Sequence, residues 1–151
     1  MEKVGEGKVV LHNRVLAAAL IAGIIAQFLK VIINYLVKRE IDFKLFVTSG
    51  GMPSSHTALV VALATGVCRQ LGWNSTEFAI AVVFALIVMY DAAGVRRAVG
   101  KQAEILNIIM DDLVHTGKFR EERLKELLGH TPKEVFAGGL LGLMVACFYV
   151  T

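Results

Sequence analysis

Two short stretches place a histidine beside hydroxyl or carboxylate side chains at the edge of a long apolar run: GGMPSSH at 50–56 and HTPKEVFAG at 130–138. In the first, Pro53 suits the first turn of a helix, and Ser54 or Ser55 suits its cap. The free N–H groups and positive end of that helix then form an anion site. The hydroxyls of Ser54 and Ser55 add donors for phosphate oxygens, and His56 adds a group able to give or take a proton near neutral pH. An ordinary helix cap followed by an interfacial histidine accounts for the same residues equally well. In the second stretch, Glu134 can hold one ring nitrogen of His130 and leave the other as nucleophile or base. A cap and a surface pair is the plainer alternative.

Two further sets of residues bear on the same chemistry. Asp91 and the pair Arg96 and Arg97 end the third apolar run, and arginine's planar fork of donors matches phosphate oxygens. Adjacent residues point about 100° apart on a helix, so one of the two faces a shared site. Snorkelling to the membrane interface is the competing role. Lys30 lies within an apolar run, where an ionisable group is costly and usually faces a bundle interior or a functional site. Its stem could also snorkel out.

The elements that must carry these residues are transmembrane helices. The chain has 151 residues, of which 56% are hydrophobic, more than a soluble domain of this size usually carries. Its 14 glycines against 2 prolines suit helices that pack closely in lipid. The expected fold is all-α, an integral membrane helical bundle formed as a single domain over 1–151. Four runs approach the roughly 20 residues that cross a hydrocarbon core: about 15–37, 55–72, 76–95 and 135–151. The first is too long for the core of a signal peptide and reads as a retained anchor.

Residues 96–134 form a long polar segment between the last two runs. Ile105, Ile108, Ile109 and Leu113 recur within it at helical spacing, which predicts an amphipathic helix. FREERLKELLG follows as a shorter helical stretch, with Gly129 suited to its stop. With four spans, the glycine-rich loop and this segment share one membrane face. That face holds 11 lysines and arginines against 4 on the other, so the histidine motifs are expected to be cytoplasmic. Cys68 and Cys147 sit in apolar runs and read as small hydrophobes. Asp111 and Asp112 lack the spacing of a magnesium site, so no metal and no cofactor are expected.

These motifs resemble the type 2 phosphatidic acid phosphatase and vanadium haloperoxidase superfamily, most closely its small divergent bacterial and plant branch, over Gln27 to Gly142. Pro53, Ser54, Ser55 and His56 match Pro-Ser-Gly-His with serine in the glycine position. His130 to Gly138 matches His-x-Pro-x-Asp-Val-x-Ala-Gly with Glu134 for aspartate. The first motif, Lys-x6-Arg-Pro, is incomplete after Lys30, and Arg97 precedes His130 by 33 residues where the superfamily places its arginine about six residues before the nucleophile.

The resemblance implies that His130 takes the phosphoryl group, Glu134 orients it and His56 protonates the leaving alkoxide. Lys30, Ser54, Ser55 and Arg96 or Arg97 would hold the phosphate oxygens. The implied activity is hydrolysis of a lipid phosphate monoester, such as phosphatidylglycerophosphate or phosphatidic acid. The implied partner is that lipid substrate; the apolar composition adds the bilayer, and four spans that enclose little interior add further copies of the chain, with no nucleic acid expected. A catalytically silent lipid-phosphate binding or scaffold protein is the alternative from a different class.

Overall fold

Asn13 opens the first helix, α1 (Arg14–Lys38), by accepting the amide of Leu16 at 3.0 Å, the usual way a helix start satisfies one of its free donors. The computed structural model describes residues 13–39, 51–115 and 130–151. Four more helices follow in chain order: α2 (Ser55–Leu71), α3 (Thr76–Ala93), α4 (Val95–His115) and α5 (Pro132–Tyr149). The described residues contain helices and no strands, as the apolar runs predict.

The described N-caps are local in origin. Ser54 caps α2 and Ser75 caps α3, where the Ser75 hydroxyl accepts the amide of Phe78 at 3.2 Å. Thr131 and Glu134 cap α5 reciprocally, with Pro132 in the first turn where it needs no amide hydrogen. Pro53 was expected inside the first turn of its helix. It lies one position before the cap instead, because Ser54 takes the cap and α2 begins at Ser55. Gly94 ends α3 at Ala93, two residues earlier than expected, and α4 starts immediately after it.

Helix α2 is central, packed on α1, α3 and α5. Its contacts are made by small residues: Ala22 and Ala26 of α1, Ala58 and Ala62 of α2, and Ala146 of α5 form one buried cluster. Gly138 and Gly142, four apart on α5, press against the α2 backbone. A methyl group at either would collide with the carbonyl of Ser54 or Ala58. Without a hydrophobic driving force between helices in lipid, such close backbone approach is what association has to work with.

The large side chains point outward. Ile24, Phe28 and Ile32 of α1, and Ile80, Val83, Leu86 and Ile87 of α3, are each more than half exposed. In α3 only 17% of the apolar window is buried within the bundle. This inverted arrangement, small inside and large outside, belongs to a protein whose outer solvent is hydrocarbon. Among the described residues, three helices are long and apolar enough to cross a bilayer: Arg14–Val37, Thr76–Ala93 and Pro132–Tyr149. The run expected at 55–72 forms α2, which at 17 residues is shorter than these and lies among them.

The amphipathic helix expected after Arg97 is α4. Among the described helices it packs on α3 alone, and Ala103 and Asn107 are its buried side chains. Ile105, Ile108 and Ile109 stay outside the bundle. The stretch FREERLKELLG with Gly129, and residues 40–50, lie outside the described residues.

Candidate functional site

The C-terminal ends of α1 and α3 and the N-terminal ends of α2 and α5 meet at one end of the bundle. Two backbone hydrogen bonds lock them together. The amide of Ser54 donates to the carbonyl of Glu134 at 3.0 Å, and the amide of His130 donates to the carbonyl of Ala92 at 3.1 Å. Residues distant in sequence are thereby held in one place by main chain, which is stiffer than side-chain contact.

His130 stands just before α5 and is 1% exposed. Its Nδ1 lies 3.2 Å from Oε2 of Glu134, and the same oxygen accepts the amide of Thr131 at 3.1 Å. The capping box therefore fixes Glu134, and Glu134 fixes the ring of His130. With Nδ1–H donating to the carboxylate, Nε2 keeps its lone pair. Nε2 is buried and has no hydrogen-bond partner among the described residues. A buried polar atom left so is costly and points to a group that joins it during function.

Lys30 lies beside this pair. It continues the stripe of Ala22 and Ala26 at four-residue spacing and so faces the interior, where it is 2% exposed. Its ammonium donates to Oε1 of Gln27 at 2.7 Å. The backbone of Gly51 covers the lysine stem; a side chain there would start 3.5 Å from it, and φ of +95° is itself a conformation suited to glycine. The bundle interior, not a snorkel to the interface, is where this lysine resides.

Burial, which penalises the charged imidazole, and then the positive charge of Lys30 hold the His130 pKa below its ordinary 6.5; Glu134 opposes them and His56 adds a smaller lowering. His130 is thus neutral at neutral pH. The ring of His56 lies 6.2 Å from that of His130, centroid to centroid, tilted by 51°. His56 itself is exposed, in the first turn of α2.

Ser54 is fully buried and its hydroxyl already has local work. It accepts the amide of Thr57 at 3.4 Å and the hydroxyl of Thr57 at 3.0 Å, leaving its own hydrogen as the group it can offer. Ser55 opens α2 and is half-buried. Of the residues singled out in the sequence, Lys30, Ser54, Ser55, His56, His130 and Glu134 come together at this end of the bundle. Arg96 and Arg97 occupy the first turn of α4 rather than the end of α3; their side chains lie outside the described residues. Among the described residues, no group of three or more His, Cys, Asp or Glu side chains converges to hold a metal ion.

Gln27 and Thr131 are the partners that sequence reading missed. Both had a signal: a polar residue one turn before a lysine in an apolar run, and a threonine three residues before a glutamate, which is the pattern of a capping box.

A bundle of apolar-faced helices joined through glycine and alanine, with a histidine–glutamate pair, a second histidine and a buried lysine at one end, defines a membrane protein with a polar site. The chain belongs to the Divergent PAP2 family, whose pattern it matches over residues 11–145. It is 44% identical over 146 residues to YuiD of Bacillus subtilis (strain 168), described as an uncharacterized membrane protein, a likeness covering 89% of this chain and 92% of that relative. No solved structure matches the chain.

Proposed function

We propose that this protein is a membrane-embedded phosphatase that hydrolyses a lipid phosphate monoester through a phosphohistidine on His130. The observation that carries this reading is the buried Nε2 of a neutral His130, which has no partner among the described residues and whose other ring nitrogen is held by Glu134. The family's name, which relates it to PAP2, supports the same class of chemistry. In this reading α2 is a fourth membrane crossing, and the basic loops put the histidine end in the cytoplasm.

The proposed steps are these. The lone pair of His130 Nε2 attacks phosphorus, the bond from phosphorus to the lipid oxygen breaks, and protonated His56 gives that oxygen its proton. The lipid alcohol leaves, and His130 carries the phosphoryl group as an imidazolium stabilised by Glu134. His56, now neutral, takes a proton from water as the water attacks phosphorus. Inorganic phosphate leaves and both histidines return to their first state. Lys30, Ser54, Ser55 and one of Arg96 and Arg97 hold the phosphate oxygens as charge shifts between them. The apolar outer faces of the helices give the lipid tails their surroundings, so only the headgroup has to reach the site.

The test is release of inorganic phosphate by the detergent-purified protein from phosphatidylglycerophosphate, phosphatidic acid and a polyprenyl pyrophosphate, with chelator present. His130→Ala and His56→Ala are assayed beside it. Release lost in both variants, with an acid-labile phosphoprotein trapped only when His130 is present, is the expected result. A folded protein that binds vanadate and releases phosphate from none of the lipids is a binding protein, and the enzyme reading falls.

A further inference from the structure

The end of the bundle remote from the histidines carries a groove of about 510 Å³ between α2, α3 and α5, lined by residues that include Cys68, Arg69, Trp73, Phe78, Leu86 and Leu143. Its size lies within the roughly 300–1,000 Å³ typical of small-ligand sites. Arg69 follows Ser54 by 15 positions, about 22 Å along a helix, so this groove is separate from the histidine site. Two of its three walls, α3 and α5, are helices long and apolar enough to cross a membrane.

We propose that the groove binds an anionic phospholipid of the leaflet that faces away from the histidines. An acyl chain lies against Phe78, Leu86 and Leu143, and the phosphate meets Arg69. Among the described residues of the lining, Arg69 is the one charged side chain and no carboxylate accompanies it. Its described hydrogen bond, from Nε to the carbonyl of Val150, uses one of five guanidinium donors and fixes the head against the C-cap of α5.

The depth of Arg69 gives the pairing its driving force. At 17 residues α2 is about 26 Å long, shorter than the roughly 30 Å hydrocarbon core, and Arg69 is in its last turn. A guanidinium at that border is stabilised by snorkelling to a phosphate, which it can bind with two parallel hydrogen bonds. Trp73, 78% exposed and edge-on to Phe78 with ring centroids 5.2 Å apart, marks the same headgroup level, where tryptophans concentrate.

Trp73 is the only tryptophan in the chain and lies in the groove lining, so it reports occupancy directly. The protein is reconstituted in phosphatidylcholine vesicles, and its fluorescence is titrated with phosphatidylglycerol or phosphatidylcholine brominated on the acyl chains. Phosphatidylglycerol should quench with an apparent affinity about five-fold higher, the preference one basic residue confers at an anionic surface. Salt should shrink that preference, Arg69→Gln should remove it and Arg69→Lys should keep most of it.

Equal quenching by the two lipids in the unmodified protein overturns the proposal. So does a preference that survives Arg69→Gln. If that variant does not fold, a wild-type preference insensitive to salt has the same force. Absence of quenching by either lipid, with a spectrum that changes with protein density in the vesicle, assigns the groove to a second copy and overturns it too. None of these outcomes depends on phosphatase activity.

Discussion

Replacing Glu134 by glutamine alters the charge next to His130 while keeping its shape. Glutamine still serves as the third residue of a capping box, so the start of α5 should survive and stability should fall by less than about 1 kcal/mol. Alanine would also lose the cap contact to Thr131, a further cost of about 1 kcal/mol. What glutamine removes is the charge assistance of the 3.2 Å contact to Nδ1. Hydrogen bonds to a charged group are worth about 1.5–3 kcal/mol and neutral ones about 0.5–1.5 kcal/mol, a difference of roughly 1–1.5 kcal/mol. If the imidazolium of the phosphoryl-transfer step relies on that assistance, kcat should fall about tenfold.

The same change has a sign in pH. Glu134 raises the His130 pKa, so its loss should move the acid limb of the kcat/KM profile to lower pH. The assay is phosphate release across pH for wild type, Glu134→Gln and Glu134→Ala, with thermal melting in detergent alongside. A glutamine variant with wild-type kcat and an unmoved acid limb would refute the orienting role. Equal melting of the glutamine and alanine variants would refute the separation of cap from charge.

The remaining predictions address the other parts of the site. Lys30→Met should move the acid limb of kcat/KM to higher pH, because the lysine charge lowers the His130 pKa, and should raise KM for the lipid phosphate. Stability should also report His130. Its native pKa is below the ordinary 6.5, so the unfolded chain takes up the proton first; the contribution is complete above about pH 6.5 and is lost as pH falls through the native value, and His130→Gln should remove this part of the pH dependence in thermal melts. Gly142→Ala should destabilise by about 1–3 kcal/mol, since its methyl meets the Ala58 carbonyl, which cannot rotate away. For Arg96→Gln and Arg97→Gln made separately, steady-state kinetics should show a large loss of kcat/KM in one variant only.

Much of this protein can be read along the chain. The apolar runs exceed what a soluble core needs, and hydrocarbon rewards one thing in a helix, an apolar outside, so the all-helical membrane class follows from composition. Caps are equally local: Ser75 and Thr131 act on amides three residues away, which spacing alone reports. The sequence leaves Lys30 between the interior and a snorkel to the interface; its burial beside Ala22 and Ala26 comes from the packed helices. Packing is what the chain does not spell out.

Only the tertiary structure brings Ser54 to Glu134 and His130 to Ala92; the first of these main-chain bonds joins α2 to α5 where Gly138 lets the two backbones touch. Only burial from several helices at once turns an ordinary histidine into a neutral one with an unpartnered nitrogen. The central place of α2 was likewise decided in three dimensions: it packs on α1, α3 and α5 because alanines and glycines on the facing helices let backbones approach, and that pairing of small residues is not written along any one segment.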